Sequence, residues 1–262
     1  PGYPAALKAA REAGSQRKAR LRFRHYDVSL WQTQVPETQV LLWLVDCPAL
    51  FDRQGDSPYQ NENGEDWWDN AHRFHLFARI GAMMALGQLG LSWKPDIVHC
   101  NDWQTGLIPV FLHNDKHAPA TVFTIHNLAY QGLFSHETFR ALGLPDHLWR
   151  FDQLEFHGQF SFLKGGLVFS DAITTVSPSY AREIRTPEFG YGLDGLLEHR
   201  SHALTGILNG IDNRYWNPKS DQHLDFHYSP DDTSGKAQCR AALQRKLGLE
   251  VNGAPVLGFV GR

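Results

Sequence analysis

Residues 121–132 read TVFTIHNLAYQG and residues 96–107 read DIVHCNDWQTGL, two runs of strand length that pass directly into polar side chains and a glycine. Similar short apolar runs recur along the chain and alternate with longer stretches of helical periodicity. This alternation is typical of βαβ units, so the sequence predicts an α/β fold with a doubly wound parallel sheet. The predicted strands cover residues 39–45, 96–99, 121–126, 172–176, 204–208 and 255–260.

Helix signals stand between these runs. Asp69 is the predicted N-cap of a helix whose apolar side chains over residues 74–85 recur at three- and four-residue spacing. Ser177 and the proline after it predict the start of another helix. Residues 217–235 are polar and contain two prolines, which predicts a linker before an amphipathic helix over 236–247.

A basic segment lies at residues 8–25, where seven Lys and Arg side chains face a lone Glu12. Such a cluster can bind an anionic partner, but a solvated surface helix or loop is the reading we favour. No function is assigned to it.

The composition excludes several classes of function. Lys and Arg number 25 against 28 Asp and Glu, so the net charge is −3 and no nucleic-acid surface is predicted. No apolar run approaches the ~18 residues of a membrane span, so no membrane partner is predicted. The three cysteines lie far apart, which argues against a disulfide scaffold. We therefore expect a soluble protein of the cytoplasm.

No cofactor and no metal are predicted. The chain has no Walker loop, no G-x-S-x-G elbow and no G-x-G-x-x-G fingerprint, which argues against P-loop NTPases, serine hydrolases and common dinucleotide enzymes. The histidine pairs His113/His117 and His72/His75 have helical spacing, but neither has a third ligand at a typical distance.

Polar side chains that directly follow the strands are the candidate functional residues, because ligands of doubly wound sheets bind beyond the carboxyl ends of the strands. Asp102 and Trp103 follow one predicted strand, and His126 and Asn127 follow the next. Asn209 follows a later one. Each has a structural alternative: Asp102 as a helix N-cap, His126 as a hydrogen-bonded strand-end residue, and Asn209 as part of a tight turn.

Six blocks in one order and spacing make a more specific signal. They are the two stretches quoted above, FLKGGL at 162–167, TVSPSYAREI at 175–184, YGLDGLL at 191–197 and GILNGID at 206–212. Together they resemble the family of bacterial glycogen synthases and plant starch synthases, over about residues 40–262.

The resemblance implies a GT-B architecture, in which two Rossmann-like domains face a cleft. Residues 1–212 then form the acceptor-side catalytic domain, and residues 213–262 form the linker and the start of the nucleotide-sugar domain. The implied reaction transfers glucose from an ADP-glucose donor to the non-reducing end of an α-1,4-glucan with retention of configuration. Glycogen or a maltooligosaccharide is the implied acceptor.

The resemblance also implies roles for individual residues. The catalytic candidates are Asp102 and His126. The resemblance places Asp102 near the sugar and acceptor, and His126 in contact with the transferred glucosyl unit. The substrate-binding candidates are Trp103 in the acceptor-side wall, Asn127 in the loop, Asn209 near the donor at the domain crossing, Arg262 at the donor diphosphate, and Trp67 as an aromatic near the donor. The permanent charge of a guanidinium suits the developing charge of a diphosphate leaving group.

Two donor-binding elements of the family have no counterpart in this sequence. The first is a lysine-glycine-glycine loop near the family's start, since Lys164-Gly165-Gly166 belongs to the FLKGGL block, where glycines are expected to allow close helix packing. The second is the later lysine with a glutamate-cysteine-glycine motif. We therefore expect a fragment that is inactive or nearly so by itself. The alternatives are a non-catalytic glucan-binding module and a transferase that uses another nucleotide sugar.

Overall fold

The computed structural model describes residues 4–53 and 57–260, and the chain divides into two compact units, Pro1–Leu208 and Asn209–Arg262. The strands in the described residues are β1 (Gln16–Phe23), β2 (Tyr26–Gln34), β3 (Leu41–Asp46), β4 (Ile97–Asn101), β5 (Ala120–Ile125), β6 (Leu133–Phe134), β7 (Glu155–Phe156), β8 (Gln159–Ser161), β9 (Ala172–Thr175) and β10 (Leu204–Gly206). The α-helices are α1 (Pro4–Glu12), α2 (Pro48–Phe51), α3 (Asn70–Ala85), α4 (Leu107–Leu112), α5 (His136–Ala141), α6 (Phe162–Phe169), α7 (Pro178–Glu183), α8 (Asp194–His199) and α9 (Ser234–Lys246).

A four-stranded parallel sheet forms the centre of the first unit, in the order β10-β9-β5-β4. Its inner strands carry the fully buried side chains Phe123, Ile125 and Ile173, as strands covered on both faces must. Helix α4 packs against both α3 and α6 around the same core. The predicted α/β class with a parallel sheet is confirmed, and the four strands follow one another across the sheet in chain order.

The predicted strand at 39–45 belongs to a separate antiparallel sheet, in the order β1-β2-β3. That strand forms as β3, but its expected place in the parallel sheet is wrong. β2 and β3 are joined by a short turn in which the Val35 N–H donates to Val40 O at 2.9 Å, and a connection this short permits only antiparallel pairing. Helix α3 packs against this sheet through Leu76 and Ile80.

The basic segment is a surface helix only in part. Residues 8–12 belong to α1, but residues 16–23 form strand β1, so the expectation of a surface helix or loop is wrong there. Along β1 the half-buried Leu21 and Phe23 alternate with exposed arginines. This two-residue period places the charges on the solvent side of the strand.

The two predicted helix starts are at the predicted positions, with one difference in detail. The Ser177 hydroxyl accepts the Tyr180 N–H at 2.9 Å and caps α7, as predicted. Asp69 directly precedes α3, but the predicted capping hydrogen bond is wrong. With φ −103° and ψ 16° its backbone lies outside the extended region of an N-cap, and its carboxylate instead pairs with Arg53.

The second unit contains the predicted helix, as α9, but not the predicted strand at 255–260. Leu257, Phe259 and Val260 are 92–103% exposed, and none of the described residues in this unit forms a strand beside them. A strand is stabilised by its neighbour, so an apolar run without one stays irregular.

Glycines let α6 approach its neighbours closely. A Cβ built at Gly166 overlaps the ring of Phe123 in the central sheet, and one at Gly165 lies 2.9 Å from the Gly106 carbonyl oxygen. A Cβ at Gly106 in turn overlaps the backbone of Phe162. The expected role of the FLKGGL glycines in close packing is confirmed.

Replacing Gly166 with alanine is expected to lower the free energy of unfolding by about 1–3 kcal/mol, because the added methyl group displaces the fully buried ring of Phe123. Gly195→Ala is the matched control, since that helical glycine has no atom within 4 Å of its Cβ position, and its expected change is zero or slightly stabilising. Urea unfolding of the two variants measures the difference. Equal stability of both would contradict the close approach.

Candidate active site

Polar residues meet at the carboxyl edge of the central sheet. Asn101 ends β4 and Asp102 follows it, while His126 and Asn127 follow β5, the neighbouring strand. The pairing of Asn101 opposite Thr124 brings the two loops side by side. The sequence therefore placed both candidate catalytic residues at one edge correctly, and the structure joins them directly.

Asp102 has a strained backbone that is fixed on several sides. Its φ of 56° and ψ of 179° fall in a region populated almost only by glycine, which costs about 1–3 kcal/mol for other residues. Its N–H donates to Thr124 O at 3.0 Å, and the Thr105 hydroxyl donates to its carbonyl at 3.1 Å. Its side chain makes no cap hydrogen bond, so the N-cap alternative is wrong. Instead Oδ1 accepts the backbone N–H of His126 at 2.9 Å.

The His126 ring is exposed and held by one side-chain partner, with its Nε2 3.0 Å from Asn101 Oδ1. An amide oxygen only accepts, so this geometry assigns the proton of the neutral imidazole to Nε2 and leaves Nδ1 as the acceptor. Asn101 is a residue that the sequence analysis did not select. It is the last residue of a strand, and nothing in its local sequence indicates which side chain it meets.

A cleft of about 730 Å³ opens beside Asp102. Four of the predicted site residues line it, namely Asp102, Trp103, Asn127 and Trp67. Its other walls are largely aromatic or amide side chains, including Tyr59, Tyr130, Gln131, Phe156 and Tyr191. The charged residues that line it among those described are Asp66 and Asp102, so the cleft carries carboxylates and no cation.

The two tryptophans of the cleft differ in environment. Trp103 is only 8% exposed and packs edge-on against Phe74 and Phe162, so it is mainly a core residue that presents an edge to the cleft. Trp67 is half-buried, and the Arg53 guanidinium lies 4.5 Å from its ring centroid. This cation–π contact fixes the indole at the rim.

Gln131 is a second residue that sequence reasoning missed. It is 8% exposed, and its Nε2 donates to the Tyr191 carbonyl at 3.0 Å. Its Oε1 is buried and has no hydrogen-bond partner within residues 4–53 and 57–260. A buried acceptor without a donor is unfavourable, so a ligand hydroxyl in the cleft would satisfy it. No sequence signal identifies it, because its orientation depends on a carbonyl 60 residues away.

The remaining candidates lie elsewhere. His126 is not part of the cleft lining, although Asp102 connects it to that lining. Asn209 is the exposed first residue of the second unit, and Arg262 lies outside the described residues. Cys100 directly precedes Asn101 in β4 and is 1% exposed, and burial raises its pKa to about 12, which disfavours the reactive thiolate.

The described part of the chain contains no group of three or more His, Cys, Asp or Glu side chains placed to hold a metal ion. Within the same residues, no helix combines the length and apolar character that crossing a membrane requires.

Comparison with known proteins gives one consistent result. A family model described as the starch synthase catalytic domain matches residues 1–199. The chain is 78% identical over its whole length to a glycogen synthase of Marinobacter nauticus, and 59% identical over 90% of its length to one of Thioalkalivibrio sulfidiphilus. It covers 54% and 49% of these two proteins, so it spans about half the length of the curated relatives it matches.

A solved structure is similar as well. It is the catalytic domain of starch synthase IV from Arabidopsis thaliana bound to ADP and acarbose, with a TM-score of 0.71 and 30% sequence identity. The match covers 90% of this chain and 48% of the plant chain. It confirms the predicted GT-B type of α/β fold.

Proposed function

Because the chain belongs to the starch synthase catalytic domain family of glycosyltransferases, we propose that its protein is a glycogen synthase. In this proposal glucose passes from ADP-glucose to the non-reducing end of an α-1,4-glucan, with retention of configuration. The names of the bacterial relatives support the glucan product. ADP in the Arabidopsis structure supports an ADP-sugar donor, and its acarbose supports a sugar site in this domain.

The composition of the cleft is the observation that carries the proposal. Aromatic faces, amides and carboxylates suit an uncharged sugar, because rings pack on its apolar faces while amides and carboxylates bind its hydroxyls. A diphosphate needs cations, which are missing from the described lining. We therefore propose that this cleft binds sugar units. The nucleotide diphosphate of the donor is proposed to bind elsewhere, to residues such as Asn209 and Arg262.

The strained carboxylate has a role in this reaction. Breaking a glycosidic bond to a nucleotide develops positive charge on the sugar, and a fixed negative group beside it stabilises that charge. Asp102 is fixed through its backbone and by the His126 N–H, so it needs little rearrangement during the reaction. His126, oriented by Asn101, is proposed to contact the transferred glucosyl unit.

The test is ADP release by the full-length protein that carries this chain, with maltooligosaccharide as acceptor. The expected result is ADP formation from ADP-glucose, little UDP from UDP-glucose in direct competition, and an elongated product whose new linkage is α by NMR. A preference for UDP-glucose would contradict the assignment of ADP-glucose as the donor. Glucan binding with no turnover of either donor would favour the glucan-binding module.

Gln131 tests whether the cleft binds the glucan. Gln131→Met keeps the side-chain volume but removes both the buried Oε1 acceptor and the Nε2 donor to the Tyr191 carbonyl, so we expect KM for maltooligosaccharide to rise about tenfold with little change in kcat. Gln244→Met is the matched control, because that buried glutamine also donates Nε2 to a backbone carbonyl and also has an Oε1 without a partner among the described residues, but it does not line the cleft. An unchanged KM for the acceptor in Gln131→Met would contradict the assignment.

The same proposal places the protein in the cytoplasm. The three cysteines are unpaired in the structure, and two of them, Cys47 and Cys100, are buried. Free thiols of this kind persist in a reducing compartment.

A further inference from the structure

A second cavity in the first unit, of about 610 Å³, shares no lining residue with the cleft among the residues that the structure describes. It lies between the β1–β2 turn, α3, α4 and the segment after α5. Its volume falls within the ~300–1,000 Å³ typical of small-molecule sites. Because of its charge, described next, we call it the cationic cavity.

Arginine and histidine supply the polar lining of the cationic cavity, beside one asparagine and one glutamine. Arg24 and Arg79 are permanent cations, and His75, His113 and His147 add three imidazoles. No carboxylate lines this cavity in the described part of the chain. Two cations without an acidic partner, in a concave site, form an environment for an anion.

Arg24 is held in place without neutralising its charge. It sits in the two-residue turn between the paired Phe23 and Tyr26, with a positive φ of 53° that glycine adopts more readily. Its guanidinium donates to the carbonyls of Ala141 and Leu142 at the end of α5. Those bonds use two of five N–H donors, so the remaining donors are available to a ligand.

Arg79 is likewise held by a neutral group. Its guanidinium carbon lies 4.5 Å from the centroid of the Phe111 ring. Burial, and then the nearby charge of Arg24, lower the pKa of Arg79. The two positive charges repel each other, and a bound anion would reduce that repulsion.

His75 is a buried lining residue that is polar but uncharged. It is 5% exposed and packs between the rings of Phe23 and Phe111, at 5.9 and 5.7 Å between centroids. Burial and the neighbouring cations lower its pKa to about 3, so the ring is neutral near pH 7. The cavity therefore combines two cations with an apolar and hydrogen-bonding interior.

We propose that the cationic cavity binds a phosphorylated small molecule. The phosphate group faces Arg24 and Arg79, since planar guanidinium groups match phosphate oxygens in two-point contacts. The uncharged body of the ligand lies against Phe111 and the apolar lining residues of the segment after α5, among them Leu144 and Leu148. This site is separate from the sugar-binding cleft and does not depend on its assignment.

Calorimetric titration of the purified protein tests the site, with ADP present so that any nucleotide site is filled. The probes are glucose 1-phosphate, fructose 6-phosphate, inorganic phosphate and glucose. We expect both sugar phosphates to bind, and inorganic phosphate to bind more weakly. Any affinity for glucose is expected to be the same in the wild-type protein and in the cavity variants. Arg79→Met is expected to weaken sugar-phosphate binding about ten- to hundredfold, the effect of one charge-assisted contact.

The controls separate this site from general attraction to positive charge. Arg22→Met removes an exposed arginine of β1 that does not line the cavity, and it should leave the affinity unchanged. Arg79→Lys should retain part of the affinity, and ADP binding should be equal in all variants. Absence of sugar-phosphate binding, equal losses in Arg79→Met and Arg22→Met, or equal affinity for inorganic phosphate would each overturn the proposal.

Discussion

Replacing His126 with alanine is expected to lower kcat about 10²- to 10³-fold in the full-length protein, the size of effect seen when one transition-state contact is removed. The melting temperature is expected to change by about 1 °C or less. The ring is exposed, and its hydrogen bond to Asn101 can be replaced by water, so the fold loses little. Steady-state kinetics and a thermal melt on the same preparation measure both quantities.

Two further variants identify the cause of the His126 effect. His202→Ala removes another exposed histidine of the same unit and should leave kcat unchanged. Asn101→Ala removes the partner of Nε2 and should lower kcat less than His126→Ala, because the ring remains but is no longer oriented. If His126→Ala loses stability and activity in equal measure, the histidine is a structural residue.

Replacing Asp102 with glycine is expected to abolish most activity without lowering stability. Glycine relieves backbone strain of about 1–3 kcal/mol, which offsets about 0.5–1 kcal/mol of added flexibility in the unfolded chain. The backbone N–H of His126 loses its acceptor in this variant, but His126 is exposed, so the N–H can donate to water instead. The fall in kcat is expected to reach about 10²-fold or more, since a preorganised charge is removed.

Asp102→Asn distinguishes charge from geometry. The amide oxygen still accepts the His126 N–H, so the loop keeps its shape while the negative charge is lost. We expect a large fall in kcat and an unchanged urea midpoint for this variant. A glycine variant that is both inactive and clearly less stable would show that the carboxylate supports the loop rather than the reaction.

The family and the fold class were predictable from the sequence because their signals are local. The strands that became β4, β5 and β9 are short apolar runs bounded by polar residues, and the residues after them are adjacent in a parallel sheet whatever the packing details. That rule alone placed Asp102 and His126 at one edge.

The errors arose where pairing partners decide the structure. In β1 the alternation of Arg20, Leu21, Arg22 and Phe23 is a strand pattern, but the large number of basic residues concealed it. The run at 255–260 is apolar enough for a buried strand, yet nothing in its own sequence supplies a neighbour. Strand pairing is a non-local interaction, so local propensity predicts it poorly.

The finer geometry of the site was beyond sequence reasoning for a related reason. The φ of Asp102 is held by simultaneous contacts with Thr105 in its own loop and with Thr124 and His126, which belong to β5 and the loop after it. The side-chain Oε1 of Gln131, which has no partner among the described residues, is oriented by the bond from Nε2 of the same amide to the Tyr191 carbonyl. A sequence motif can indicate that these residues matter, but only the assembled loops show which atoms remain available.

The strand order of the central sheet also has a consequence for the newly made chain. β4, β5, β9 and β10 are neighbours in the order in which the ribosome releases them, so each emerging strand finds its partner already synthesised. The widest gap, from Thr121 in β5 to Asp171 at the start of β9, spans 50 residues and is closed by the Asp171 carboxylate, which accepts both the N–H and the hydroxyl of Thr121. The sheet can therefore grow from one edge during translation, without waiting for a later segment to be inserted between finished strands.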